Sequence, residues 1–474
     1  MIRVHIGVVV AIVATVSVSA PVGATVDGVA TSIAGFAGMA RRGPFETVVA
    51  IDSLLEFEST FGGFDDRLAN PFLAPAVAGF FANGGRRCWV VRVASGEDAA
   101  LVGDIDPISR RGTGVHALAG VDEVSIVCAP GVSSIDAQQA IIAHCEDLGD
   151  RVAILDTAPN ASASEVLAQR SAIASAAGFG ALYHPWVVIP APGGESLPVP
   201  PSGHVAGIWA RVDAQIGSWR SPVGSVQGVT ALAQSVSVAQ YESLNAAGVS
   251  AIREFPGRGI EVFGARTVSS DSDWRYVPVR RFAVFLEESI AEGTSWAVFE
   301  PNDEPLWASL RDGVEDFLLA LWRDGALEGT RTSDAFFVRV DRTTMSAADI
   351  AAGRTIIVFG AAVVVAGEFV ILRVVHERDA DRPRFVRGDA NGDLGVDISD
   401  AVRVLEFLFL GGTAPGCADA ADTVDEGELT VSAGIAILDF LFRGGAPPAP
   451  PYPDCGEDPT ADGLPECRSS APAC

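Results

Sequence analysis

Apolar residues at Val279, Phe282, Leu286 and Ile290 fall on one side of a 3.6-residue period, which predicts an amphipathic helix over residues 278–293. Asn302-Asp303 with Pro305 marks a second helix start, and its buried stripe reads Leu306, Leu310, Val314, Phe317 and Leu321. Two short apolar runs read as strands, 259–266 (GIEVFGAR) before these helices and 295–299 (SWAVF) between them. Upstream, Ser53-Leu54-Leu55-Glu56 is a capping-box pattern for a short helix that stops at Gly62-Gly63. Pro75 stands where a first helical turn tolerates proline, and Ala76, Val77, Phe80 and Phe81 share one side of the helix it opens. Residues 87–93 (RCWVVRV) follow as a strand.

From about Gly112 the pattern alternates: strand 123–128, helix 134–147, strand 151–156, helix 163–176, strand 181–189. Such alternation predicts a parallel sheet with helices on both faces, so the fold class is α/β. Residues 335–340, 355–359 and 368–375 predict three further strands, with a short helix at 345–350. A charged, proline-containing linker, HERDADRPRFVRG at 376–388, closes that part. Beyond it the chain repeats with a period of 33 residues: VLEFLFLGG at 404–412 returns as ILDFLFRGG at 437–445, and Asp389 falls on Asp422.

With 474 residues the chain has room for two or three domains. Its formal net charge is −27 and it contains no lysine, which argues against nucleic acid as a partner. The missing lysine also excludes phosphate-loop, Schiff-base and PLP chemistry that depends on that residue. Acid concentrates in the tail, where residues 379–474 hold 18 acidic against 6 basic side chains. Cys417, Cys455, Cys467 and Cys474 form an even set there, which favours disulfides and an oxidising compartment and leaves three connectivities open. Cys88, Cys128 and Cys145 lie in apolar runs and read as buried free thiols. At the amino terminus, Arg3 and His5 precede an apolar run to about Ala20 and then Pro21 and Gly23-Ala24, the outline of a secretory signal. The rival reading takes the β-branched, partly alternating residues of 8–18 as a strand-forming arm.

The strongest chemical signal is DANGDLGVDISD at 389–400. Oxygen ligands at loop positions 1, 3, 5, 7, 9 and 12, from Asp389, Asn391, Asp393, the Gly395 carbonyl, Asp397 and Asp400, suit a calcium ion. Leu394 stands at the turn position that favours glycine. The second loop keeps carboxylates only at Asp422 and Glu426, with Val424, Thr430 and Ala433 at the other positions, and is expected to bind weakly or not at all. A catalytic site is not expected. Asp156, His184, Ser202 and His204 could be imagined as a triad, but Ser202 is on no nucleophile elbow, and these residues read as caps and satisfied polar groups. The acidic cluster at 300–304 reads as a helix amino terminus. Arg280-Arg281 and Glu287-Glu288 read as exposed or inter-subunit pairs.

Several blocks between Thr25 and Val375 resemble the contractile tail sheath proteins of bacteriophages and related injection machines. They include ATSIAGFAGMARRGP, AVAGFFANGGRRCWVVRV, VDEVSIVCAPGV, PPSGHVAGIWARVDAQIGSWRSPVG and the whole of 248–307. The resemblance implies an amino-terminal sheath segment (25–97), a central subtilisin-like parallel-sheet domain without a catalytic triad (98–268) and an α+β carboxy-terminal domain (269–377). The 33-residue repeat resembles a dockerin, implying a small α calcium module with a cysteine-containing tail at 388–474, after a linker at 378–387. Residues 1–24 are the signal-like run or arm.

The function implied is that of a structural subunit, not an enzyme, which polymerises around a tube and contracts to drive it through a target envelope. Implied partners are further copies stacked as rings, tail tube and baseplate proteins, in a virion tail or phage-like particle assembled in the cytoplasm. In the family, terminal strands added to a neighbour's sheet tie the subunits together. This chain departs at both ends: the usual arm is absent or replaced by the signal-like run, and Val365-Ala366-Gly367 replaces the usual proline before the last strand. The alternative is a secreted or cell-surface binding protein that reuses a sheath scaffold and docks a cohesin-like partner through its calcium module.

Overall fold

A computed structural model describes residues 25–106, 111–190, 194–363, 369–377, 385–453, 455–456 and 464. The signal-like run, residues 365–367, most of the linker, Cys467 and Cys474 lie outside these. The chain divides into two compact units, one drawing on Met1–Gly103 and Leu118–Arg378, the other on Asp104–Ala117 and Asp379–Cys474.

The first unit is built on strands β1 (Ala34–Gly38), β2 (Val48–Ile51), β3 (Cys88–Arg92), β4 (Ile126–Cys128), β5 (Val152–Asp156), β6 (Gly180–His184), β7 (Val187–Pro190), β8 (Ser196–Val199), β9 (Gly224–Ser225), β10 (Ala231–Leu232), β11 (Val249–Phe255) and β12 (Gly259–Val262). Nine of these described strands join in the order β2-β3-β1-β4-β5-β6-β11-β12-β9. The run from β3 to β11 is parallel, and antiparallel strands finish both ends. A mixed α/β sheet is therefore present where alternation predicts one.

Helices α1 (Leu54–Phe61), α2 (Leu73–Ala82), α3 (Ile135–Leu148), α4 (Ala163–Ala172), α5 (Ser202–Gln215) and α6 (Val238–Ala246) accompany that sheet. Ser53 caps α1 by accepting from the Glu56 N–H, and Gly62 ends it at φ 87°. Close packing of α2 on α5 depends on absent side chains: a Cβ on Gly203 would lie 2.2 Å from the Ala76 carbonyl oxygen.

Downstream come α7 (Val277–Gly293) and α8 (Glu304–Arg323), then strands β13 (Phe336–Arg339), β14 (Arg354–Ala361) and β15 (Val370–Glu377) in one antiparallel sheet. The predicted stripes are where this core closes. Phe282, Leu286 and Ile290 of α7 and Leu306, Leu310, Val314 and Leu321 of α8 bury against Ile356, Phe359, Leu372 and Val374. Phe317 packs at the margin of the same core.

Three readings are corrected. SWAVF is a 3₁₀ turn (Ser295–Phe299), because five apolar residues carry no period that separates strand from tight helix. The run 181–189 is two strands in different sheets, divided at Pro185, which has no N–H to donate. The 259–266 run is a strand only as far as Val262, in a hairpin with β11, and its far end makes an isolated antiparallel bridge from Arg266 to Tyr276.

The second unit repeats its backbone as well as its sequence. Helices α9 (Ile398–Leu410) and α10 (Val431–Arg443) are offset by the repeat period, and each ends at a left-handed glycine, Gly411 at φ 69° and Gly444 at φ 71°. The two helices pack on each other around Ala390, Val404, Ala421 and Ala433. Cys417 and Cys455 are each disulfide-bonded. Among the described residues no helix is long and apolar enough to cross a membrane.

Candidate functional site

Asp156 ends β5 at the carboxyl side of the parallel sheet, where open α/β sheets bind ligands. Here it performs a structural task. Its carboxylate accepts from Gly131 N at 3.1 Å, Ser202 N at 3.0 Å and Ser202 Oγ at 2.8 Å, tying the strand end to the first turn of α5. Burial pushes this carboxyl up to about 7, against the three hydrogen bonds that favour its charge. His184 Nδ1 meets Thr157 Oγ1 at 3.1 Å, and burial lowers His184 and His204 to about 4. No histidine reaches Ser202 among the described residues, so no triad forms. One detail differs from expectation: His204 Nδ1 is buried without a hydrogen-bond partner, packed against Gly79, rather than satisfied.

The arginines expected on the surface are inside. Arg280 and Arg281 are each 4% exposed. Arg281 bonds Asp213 and the Thr31 carbonyl, and its guanidinium lies 4.5 Å from the Trp209 ring centroid. Arg280 sits 3.8 Å from Trp274 and 4.6 Å from Phe179, with Glu287 at 3.7 Å. The planar guanidinium can stack on rings while its edge donates, which lets a fixed charge occupy an interface a lysine could not. Asp303 caps α8 by accepting from Leu306 N, as the reading of 300–304 as a helix start requires.

β15 is the last strand of its sheet among the described residues, and it alternates cleanly. Leu372 and Val374 point into the core, while Ile371 (65% exposed) and Val375 (40% exposed) face out. A strand edge of this kind carries unpaired backbone donors and acceptors and invites another strand.

In the second unit Asp389, Asn391, Asp393, Gly395, Asp397 and Asp400 share one loop ahead of α9. Asp389 accepts from the backbone N–H groups of Gly392, Asp393 and Leu394, and Asp400 from those of Asn391 and Asp397. Burial, then the charges of Asp389 and Asp393, push Asp400 up to about 6. None of the four loop carboxylates meets an arginine among the described residues; the backbone N–H groups are what face Asp389 and Asp400. Among those residues no three His, Cys, Asp or Glu side chains converge as a ready metal centre. The donor set is nonetheless all hard oxygen, the kind calcium takes.

The second loop copies the first in backbone. Gly392 (φ 83°) and Leu394 (φ 69°) correspond to Asp425 (φ 59°) and Gly427 (φ 73°), and Gly427 N donates to Asp422 at 2.8 Å as Leu394 N does to Asp389. Its chemistry differs. Glu426 is engaged by Ser432 Oγ at 3.1 Å, and Ala433 at the last position is core. Arg387, in the sequence only one of several linker arginines, proves to be wholly buried beside this loop.

The chain can be set beside known proteins. Residues 112–268 match the phage tail sheath protein central domain and 269–377 the phage tail sheath C-terminal domain. A prophage major tail sheath protein of Pseudomonas aeruginosa is 28% identical over 278 residues, covering 54% of this chain and 67% of that protein. The sheath complex of an extracellular contractile injection system in its contracted state is similar with a TM-score of 0.59 at 28% identity, over 73% of this chain and 92% of the other. A chain of the anti-feeding prophage baseplate is similar with a TM-score of 0.57 at 27% identity, over 76% of this chain and 97% of the other. With its two consecutive sheath domains spanning more than half of the 474 residues, the chain belongs to the phage tail sheath protein family, whose members are structural subunits and not enzymes.

Proposed function

We propose that this chain is the repeating subunit of a contractile sheath, stacked in rings around a tail tube on a baseplate, which shortens on triggering and drives the tube through a target envelope. Likeness to a contracted sheath over nearly three quarters of the chain carries this reading. Contacts between copies are heterologous and do not close along the axis, so they generate a helical tube. The open edge of β15 is the place where a neighbour's strand adds, keeping copies linked while their cores rotate. The central sheet, without catalytic machinery, serves as a subtilisin-like scaffold. The particle assembles in the cytoplasm as a phage tail or phage-like device.

The edge is tested by the double substitution Ile371→Lys with Val375→Lys, since lysine on an edge strand discourages pairing. Sedimentation of the variant should show subunits with unchanged circular dichroism and without tubes. Tubes identical to those of the unsubstituted chain would refute the role of β15.

The tail favours a second element. The apolar residues Ile398, Val402 and Phe409 are exposed along one side of α9, and Val431, Ile435 and Phe442 repeat them on α10. Together with the disulfide-bonded Cys417 and Cys455, this supports a dockerin-like module that holds one calcium ion in the 389–400 loop and presents a duplicated face to a cohesin-like partner. If the chain is secreted, with residues to about Ala24 removed, that docking replaces contraction as its task. Intact mass of chains recovered outside the cell distinguishes the two: loss of the first residues supports secretion, and a full-length mass opposes it.

A further inference from the structure

The two acidic loops have one backbone shape and different ways of holding it. In the first, four carboxylates share one loop, and among the described residues no arginine meets them. In the second, the guanidinium of Arg387 is 0% exposed and gives its donors to the loop and its surroundings. Nη1 donates to the Asp419 and Asp422 carbonyls at 3.1 Å each, Nη2 pairs with Asp425 Oδ1 at 3.0 Å, and Nε donates to the Pro450 carbonyl at 2.6 Å. The backbone adds to the anchor, with Arg387 N on Pro451 O and Gly388 N on Ala420 O, both at 2.7 Å.

A buried guanidinium is stable only where its N–H groups find acceptors, and here the Asp422 carbonyl and the Asp425 carboxylate of the second loop supply two of them, with the Asp419 and Pro450 carbonyls beside the loop. The same charge stands against that loop and repels a divalent cation. The loop's remaining donors are poor for a metal: Val424 and Ala433 offer no side-chain oxygen, and Glu426 is turned to Ser432 Oγ. We infer that Arg387 takes the structural task of a metal ion in the second loop, holding residues 422–433 in their turn by charge and hydrogen bonds, so that this loop binds no calcium. The inference extends the calcium reading of the first loop and can fail separately from it.

Native mass spectrometry of the full chain in calcium gives the count. One ion, lost in Asp389→Asn, supports both readings; no ion refutes calcium in the first loop while the Arg387 assignment stands. Two ions, or one that survives Asp389→Asn, overturn the assignment. Hydrogen exchange then tests Arg387 itself, at saturating calcium. Arg387→Gln should speed exchange across 422–433 by about tenfold or more, and Asp425→Asn, which removes only the charged acceptor, by about threefold. Exchange unchanged in Asp425→Asn, or in a folded Arg387→Gln, overturns the assignment.

Discussion

Arg281 and Asp213 lie 68 residues apart in sequence and form an ion pair with each side chain only 3% exposed, Arg281 Nη1 donating to Asp213 Oδ1 at 3.0 Å. The pair joins α7 to α5, and the second contact to the Thr31 carbonyl adds the chain's amino-terminal stretch to the same junction. Breaking one partner strands the other charge where solvent barely reaches it. Asp213→Asn should cost about 3–5 kcal/mol, read as a shift in the denaturant midpoint of the first unit at constant slope.

Titration of buried groups gives the first unit a characteristic pH response. Burial holds Asp156 at about 7 against 3.8 when unfolded, so the folded chain keeps a proton there that the unfolded chain releases. Its contribution is full below 3.8 and is lost as pH rises through 7. His184 and His204, lowered to about 4 from 6.5, act oppositely, and their contribution is lost as pH falls between those values. From pH 6.5 upward the histidines' share of the pH dependence fades and the carboxyls outweigh it, Asp156 first and Glu288, also held at about 7, beside it, up to about pH 8. Thermal midpoints should therefore fall across that range, and Asp156→Asn should flatten the fall. An unchanged slope would contradict the assignment.

Leu394 occupies a left-handed backbone position, φ 69°, where the equivalent residue of the second loop is Gly427. A leucine side chain is strained there. Leu394→Gly should stabilise the second unit by about 1 kcal/mol and tighten calcium binding a few-fold, measured by calorimetry.

Cys88, Cys128 and Cys145 are free and buried, and burial raises each thiol well above its ordinary range. Alkylation followed by peptide mapping should leave all three unmodified in the native chain and label them after denaturation. Native labelling of Cys128 would show that the central sheet opens.

Long periodic segments were legible in the residues because burial imposes the period. The stripe Phe282-Leu286-Ile290 and the 33-residue offset of α9 and α10 appear in the structure within a residue or two of expectation. SWAVF misled because a run shorter than two helical turns has no period to read. Arg280 and Arg281 misled for another reason: arginine is surface-seeking by default, and the aromatic rings and Asp213 that admit these two come from distant parts of the chain. Helix α6 does carry a sequence signal, Ser237 with Gln240 three residues on, which is a reciprocal cap in the structure. Within the candidate loops the ligand spacing was visible, but Arg387 was not, since its partners at Asp419, Asp425 and Pro450 are brought to it only by the fold.

Electron microscopy of the purified full chain at high concentration tests self-assembly most directly. Long tubes with a regular axial striation are expected. Dispersed single subunits at the same concentration, correctly folded by circular dichroism, would contradict a sheath role.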